Sequence, residues 1–143
     1  MTRISIDLPE RFLFETEIPV RVSDLNYGGH VGNDSILTLI QEARVLYYRS
    51  LGFNNETGFE GDIGQIITDA VVLYKAESFL GDVLIIRIGI EEFTKYGFIM
   101  VYLIENKITG KEVARARTGI VCFDYTKRKI ASIPSLLLQK LKN

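Results

Sequence analysis

The chain has 143 residues, of which 47% are hydrophobic and 24% charged, with a formal net charge of −1 at pH 7. This is the composition of one globular domain able to bury a proper core, not of a disordered chain, and its apolar runs are too short and too broken by charges to span a bilayer. Both signs are scattered along the chain, which argues against nucleic acid as a partner, because phosphate binding needs a concentrated basic field.

The opening residues, MTRISIDLPE, lack the apolar stretch of a signal peptide, and the chain is expected to stay in the cytoplasm. Phe14 to Ser23 is rich in Ile, Val and Thr and reads as a strand. A Gly- and Asn-rich loop follows from Asp24 to Asn33. Asn33 or Asp34 is placed to cap a helix that runs to about Leu51 and stops at Gly52. Ile36, Ile40, Ala43, Tyr47 and Leu51 recur at three- and four-residue intervals and form one stripe. Leu39 and Leu46 widen it, so the helix is expected to be wrapped on more than one face.

After a connector from Asn54 to Gly64 come four extended segments: Gln65–Glu77, Val83–Phe93, Phe98–Asn106 and Val113–Asp124. Their short Gly- and Asp-containing separators predict an antiparallel meander. Cys122, the one cysteine, lies between Val121 and Phe123 and reads as a core residue, leaving no internal disulfide. A short helix is expected over Pro134–Lys142. The predicted architecture is α+β, with a sheet of about five antiparallel strands curled around one long central helix. Ile99, Val101 and Leu103 alternate with Phe98, Met100 and Tyr102, so both faces of that strand are apolar. A partner subunit is therefore expected to cover the outer face.

The informative segment is Val20 to Phe53, VRVSDLNYGGHVGNDSILTLIQEARVLYYRSLGF. It resembles the 4-hydroxybenzoyl-CoA thioesterase-like branch of the hotdog superfamily, in which an R-x-x-D-x-D-x-x-G-H-V-N-N stretch feeds a helix containing E-A-R. Arg21, Asp24, Gly29, His30, Val31, Asn33, Glu42, Ala43 and Arg44 match that pattern, and Tyr74, Gly81 and Asp82 match its aromatic strand residue and Gly-Asp turn. The resemblance implies a single hotdog domain that hydrolyses an acyl-CoA or acyl carrier protein thioester as a homodimer or homotetramer, with no cofactor. No Gly-rich nucleotide loop is present, and the one histidine makes a His-rich metal site improbable.

The same segment has its own physical logic. Thioester cleavage needs donors aimed at the carbonyl oxygen, and a Gly-rich loop entering a helix offers backbone N–H groups together with the positive end of the helix dipole. Tyr27, Gly28, Gly29, Val31 and Asn33 are the substrate-binding candidates, with the amides around Gly29, His30 and Val31 as the oxyanion hole. Asn26 stands where relatives often carry a catalytic aspartate, and an amide cannot act as nucleophile or base, although it can bind the carbonyl or orient water. Candidate replacements are Glu42 on the helix, Asp69 on an apolar strand face, and Asp34, which capping also explains. His30 serves either the loop structure or the chemistry, and Asp24 either the turn or the chemistry. Tyr47 and Tyr48 read as packing. Arg115 and Arg117 alternate on one strand face and are candidates for CoA phosphates or for a solvated face. Two other readings stay open: a hotdog enoyl-CoA hydratase, echoed by Asp24, Asn26 and His30, and a non-catalytic acyl-thioester binder.

Overall fold

The computed structural model describes residues 3–143. Its elements are β1 (Phe14–Pro19), α1 (Asn33–Ser50), β2 (Ile63–Tyr74), β3 (Val83–Glu91), β4 (Gly97–Asn106), β5 (Glu112–Asp124), β6 (Lys129–Ile130) and α2 (Ser135–Lys142), with one 3-10 turn at Val22–Asp24. The strands form one antiparallel sheet in the order β1-β3-β4-β5-β2, and β6 pairs with the end of β5. Ile36, Leu39, Ile40, Ala43, Tyr47 and Tyr48 of α1 are buried in a core with Ile86, Ile88, Met100, Tyr102, Ala114 and Ala116 of the sheet. The sheet curls around the helix, as the pattern predicts. No helix among the described residues is long and apolar enough to cross a membrane.

Several boundaries differ from the sequence reading. β1 stops at Pro19, because proline cannot donate to a ladder and Arg21 and Asp24 then turn the chain. The N-cap of α1 is Gly32, with no side-chain cap, so neither Asn33 nor Asp34 caps it; Asp34 instead adds a negative charge to the first turn. β2 begins earlier and ends earlier than expected. It does not pair with β3 across the 79–82 turn either: the meander is confined to β3, β4 and β5, and β2 crosses to the far edge beside β5. A hairpin-like turn sequence sets a local reversal, but not which strands neighbour each other.

Part of the outer face of β4 is covered by its own chain: Val101 is fully buried and Leu103 nearly so, while Ile99 is half-buried beside an open hollow. The N-terminal segment crosses above Val101 and Leu103: Arg115 donates to the Ile6 carbonyl at 2.9 Å, and a Cβ on Gly89 would lie 2.5 Å from Pro9 Cγ. Leu46, expected to be wrapped, is 37% exposed.

One charge lies inside this fold. Arg44 is 4% exposed, donates to Tyr102 Oη at 3.0 Å, and faces Glu56 at 3.3 Å. Tyr102 continues the chain to Thr118 at 2.8 Å, while Glu56 accepts from Gln65, which in turn accepts from Tyr48. The chain of contacts ties α1, the 54–62 loop and three strands together. Removing one partner of such a pair leaves an uncompensated charge. Arg44→Met is expected to cost about 3 kcal/mol, read as a lower urea midpoint at unchanged m-value. Combined with Glu56→Gln the loss should be less than additive; additive losses would show that the two side chains act independently.

Candidate active site

The loop between β1 and α1 is built by short-range bonds. Asp24 is 3% exposed and accepts from the Arg21 backbone at 2.8 Å, Nε at 3.2 Å and Nη2 at 3.1 Å. Burial alone would raise its pKa, but the Arg21 hydrogen bonds and charge outweigh burial and hold the carboxyl below the usual range. Both oxygens are thus committed to the turn, which gives Asp24 a structural role. The chain then folds back on itself: the Asn26 N–H donates to the His30 carbonyl at 2.8 Å, Gly32 N–H to the Asp24 carbonyl at 3.0 Å, and Val31 N–H to the Ser78 carbonyl at 2.8 Å. Gly29, at φ +79°, takes the left-handed turn that a side chain would strain. Tyr74 Oη donates to the Asn33 carbonyl at 2.8 Å and pins the start of α1 to the end of β2.

Asn26 and His30 converge on Gly28. A Cβ there would lie 3.3 Å from both Asn26 Oδ1 and His30 Nε2. Asn26 Oδ1 accepts the Gly28 N–H at 2.9 Å, which leaves its NH₂ group free to donate outward. His30 Nδ1 lies 3.2 Å from the Val31 carbonyl. Donation to that carbonyl requires the proton on Nδ1, so Nε2 carries the lone pair. Nε2 is 4.0 Å from Glu77 Oε1. A hollow of about 310 Å³ opens beside this cluster, lined by His30, Val31, Asn33, Tyr74, Lys75, Ala76 and Glu77.

Of the amides expected to form the oxyanion hole, two are already used, Gly29 by the Asn26 carbonyl and Val31 by Ser78. Among the described residues the His30 N–H makes no such bond. It stands unbonded beside the first N–H groups of α1. Tyr27 projects fully into solvent.

The expected carboxylates lie elsewhere. Glu42 is not in an apolar pocket: its side chain is 42% exposed and 3.9 Å from Arg21, which also holds Asp24. Asp69 sits opposite Gly119 just past a bulge at Thr68. The extra residue turns Asp69 to the outer face of the sheet, beside Arg117 and Ile99. In one chain it does not meet the loop. Asp34 stands at the start of α1, where with burial it raises the Tyr74 hydroxyl. Arg115 is bound to Glu112 and the Ile6 carbonyl. Tyr47 and Tyr48 are core residues, and burial pushes the Cys122 thiol up to about 11, leaving it no nucleophile. No metal-binding cluster of His, Cys, Asp or Glu occurs among the described residues. Glu77 was missed from sequence because the strand pattern placed it inside β2, with no motif to mark it.

Because the folded carboxyl of Asp24 titrates below its unfolded value, its contribution is present above that unfolded value and lost as pH falls through the folded one. Asp24→Asn is expected to lower stability at pH 7 by about 1–3 kcal/mol. The gap from the parent should shrink below about pH 4, as measured by urea unfolding at pH 7 and pH 3. A constant gap would show that Arg21 gains nothing from the charge.

The model of the thioesterase-like superfamily matches residues 20–141. An inferred esterase of Aquifex aeolicus (strain VF5) is 25% identical over 115 residues, covering 80% of this chain and 87% of its own. A 1,4-dihydroxy-2-naphthoyl-CoA thioesterase from Synechocystis shares the fold with a TM-score of 0.84 at 24% identity, over 91% of this chain and 96% of that one. A gentisyl-coenzyme A thioesterase superposes with a TM-score of 0.79 at 22% identity, over 90% and 99% of the two chains. With a family match spanning the loop, the central helix and the whole sheet, this hotdog chain belongs to the thioesterase-like superfamily.

Proposed function

We propose that the protein hydrolyses an acyl thioester, of coenzyme A or of an acyl carrier protein, in the cytoplasm, releasing the free acid and the thiol. The observation that carries this reading is the convergence of the Asn26 amide, the His30 imidazole and the unbonded His30 N–H beside the hollow at the start of α1. As the thioester carbonyl goes tetrahedral, negative charge develops on its oxygen. We assign the Asn26 NH₂ and the unbonded His30 N–H as the donors to it, in the field of the helix N-terminus. The bare Cα of Gly28 leaves the approach open, Val31 and Asn33 line the hollow, and Gly29 turns the loop, while Tyr27 stands out in solvent. The family match favours hydrolysis over the hydratase and binder readings.

We place the acyl group between two copies of the chain, as a homodimer or homotetramer. β2 hydrogen-bonds to a neighbour strand only on its β5 side, and Ile67 and Tyr74 on β2, with Leu37 and Leu46 on α1, are exposed apolar side chains around that edge. A second copy would also bring Asp69 to a loop, since its own lies on the other face. Two relatives in fold act on aromatic acyl-CoAs, so an aromatic acyl group is part of the proposal.

Thiol release from short, long and aromatic acyl-CoAs, followed with a colour reagent, tests it. Asn26→Ala is expected to lower kcat about 100-fold, the loss typical of one oxyanion donor. Gly28→Ala should act similarly, because its methyl stands against both side chains, whereas Glu42→Gln should leave most of the rate. Loss of turnover in Asp69→Asn would bring a partner's carboxylate into the site. Thermal stabilisation by acyl-CoA without any thiol release would sink the hydrolase reading in favour of a binding protein.

A further inference from the structure

We infer that Glu77 and His30 form the acid–base pair of this site, with His30 Nε2 as general base and Glu77 as the carboxylate that stabilises the imidazolium. The kinetic half of the inference rests on the thioesterase reading above; the pairing itself does not.

The loop lacks a carboxylate at Asn26, and the acids anticipated from sequence do not converge on Gly28 within one chain. Asp24 has both oxygens on Arg21, Glu42 lies against the same arginine, Asp69 is on the far face, and Asp34 lies against Gly32 in the first turn of α1. The imidazole is the basic group that meets Gly28. Its Nδ1 is directed at the Val31 carbonyl and its Nε2 at the open side of Gly28. The ring is two-thirds buried, while Glu77 is 66% exposed, so a solvated carboxyl stands beside a partly desolvated ring. Holding it there is the backbone itself: His30 pairs with Phe79 as an isolated bridge, and Val31 bonds Ser78, so the two residues that follow Glu77 are tied to the loop.

The other charged groups around the ring come from both flanking elements. Lys75, just past the end of β2, lines the same hollow, and Asp34 stands in the first turn of α1. Tyr74, whose hydroxyl is raised by burial and by Asp34, stays neutral.

The step balances without any outside reagent. His30 Nε2 removes a proton from water as the oxygen attacks the thioester carbonyl, and the negative charge passes to the carbonyl oxygen. Glu77 faces the imidazolium for the life of that intermediate. When the carbonyl re-forms, the C–S bond breaks and the electron pair leaves with sulfur. The imidazolium proton goes to the thiolate, restoring the neutral ring.

Because His30 is the one histidine in the chain, NMR of the imidazole carbons follows its titration without ambiguity. Glu77→Gln is expected to lower the titration midpoint at low salt, because it removes an opposite charge 4.0 Å from Nε2. Lys75→Met should move it the other way, Glu77→Asp should keep part of the effect, and high salt should shrink all three. In the thiol-release assay, His30→Asn should lower kcat about 100-fold or more with a smaller change in KM. Glu77→Gln should lower kcat/KM about threefold to tenfold and shift the acid limb of its pH profile to lower pH. An unchanged midpoint in Glu77→Gln overturns the pairing. A moved midpoint with full turnover in His30→Asn overturns the base assignment while leaving the hydrolase reading intact. A moved midpoint with no thiol release from any wild-type reaction overturns the hydrolase reading and the base assignment together.

Discussion

One long helix has to be enclosed by one sheet, and most features of the molecule answer to that requirement. α1 presents apolar residues around much of its circumference, and Arg44 lies among them. A flat sheet would cover one stripe and leave that arginine in mixed surroundings. Curling brings Tyr102 and Thr118 of the sheet and Glu56 of the 54–62 loop around the guanidinium. Burying a charge is tolerable only with such partners. The small side chains of β5, Ala114 and Ala116, face the core opposite Tyr102 and Ile104 of β4 and let the concave face approach the helix.

The same enclosure positions the chemistry. With α1 held in the concavity, its N-terminus must emerge at one end of the sheet, over the end of β2. There Tyr74 fastens the first turn, and the connector from β2 to β3 passes beneath the loop. The site is therefore assembled from two stretches distant in sequence: residues 24–34, which carry donors and the imidazole, and residues 74–79, which carry Glu77 and the backbone that holds it. Its rigidity comes from backbone hydrogen bonds, while the His30 and Glu77 side chains border an open hollow.

Asn26 and His30 divide the hydrogen bonding around Gly28. The Asn26 oxygen is held by the Gly28 N–H, which leaves its NH₂ group as a donor. The imidazole Nδ1 is directed at the Val31 carbonyl and its Nε2 is left open. Under the proposal above, that open nitrogen takes the proton that an amide at position 26 cannot accept.

Much of this protein was legible in the sequence. The helix followed from the three- and four-residue spacing of Ile36, Ile40, Ala43 and Tyr47, and the strands from β-branched runs between Gly- and Asp-containing turns, because those patterns depend on local geometry. The loop at 24–33 declared itself through residues that admit tight turns and close approach. Tertiary structure alone decided the rest. The β2–β5 pairing, the N-terminal cover over Val101 and the bulge at Thr68 that turns Asp69 outward each depend on contacts between residues far apart in the chain. Glu77 belongs to this second group. Its meeting with His30 is set by where β2 ends and how the connector crosses the sheet, and no local spacing encodes a distance between residues 47 positions apart.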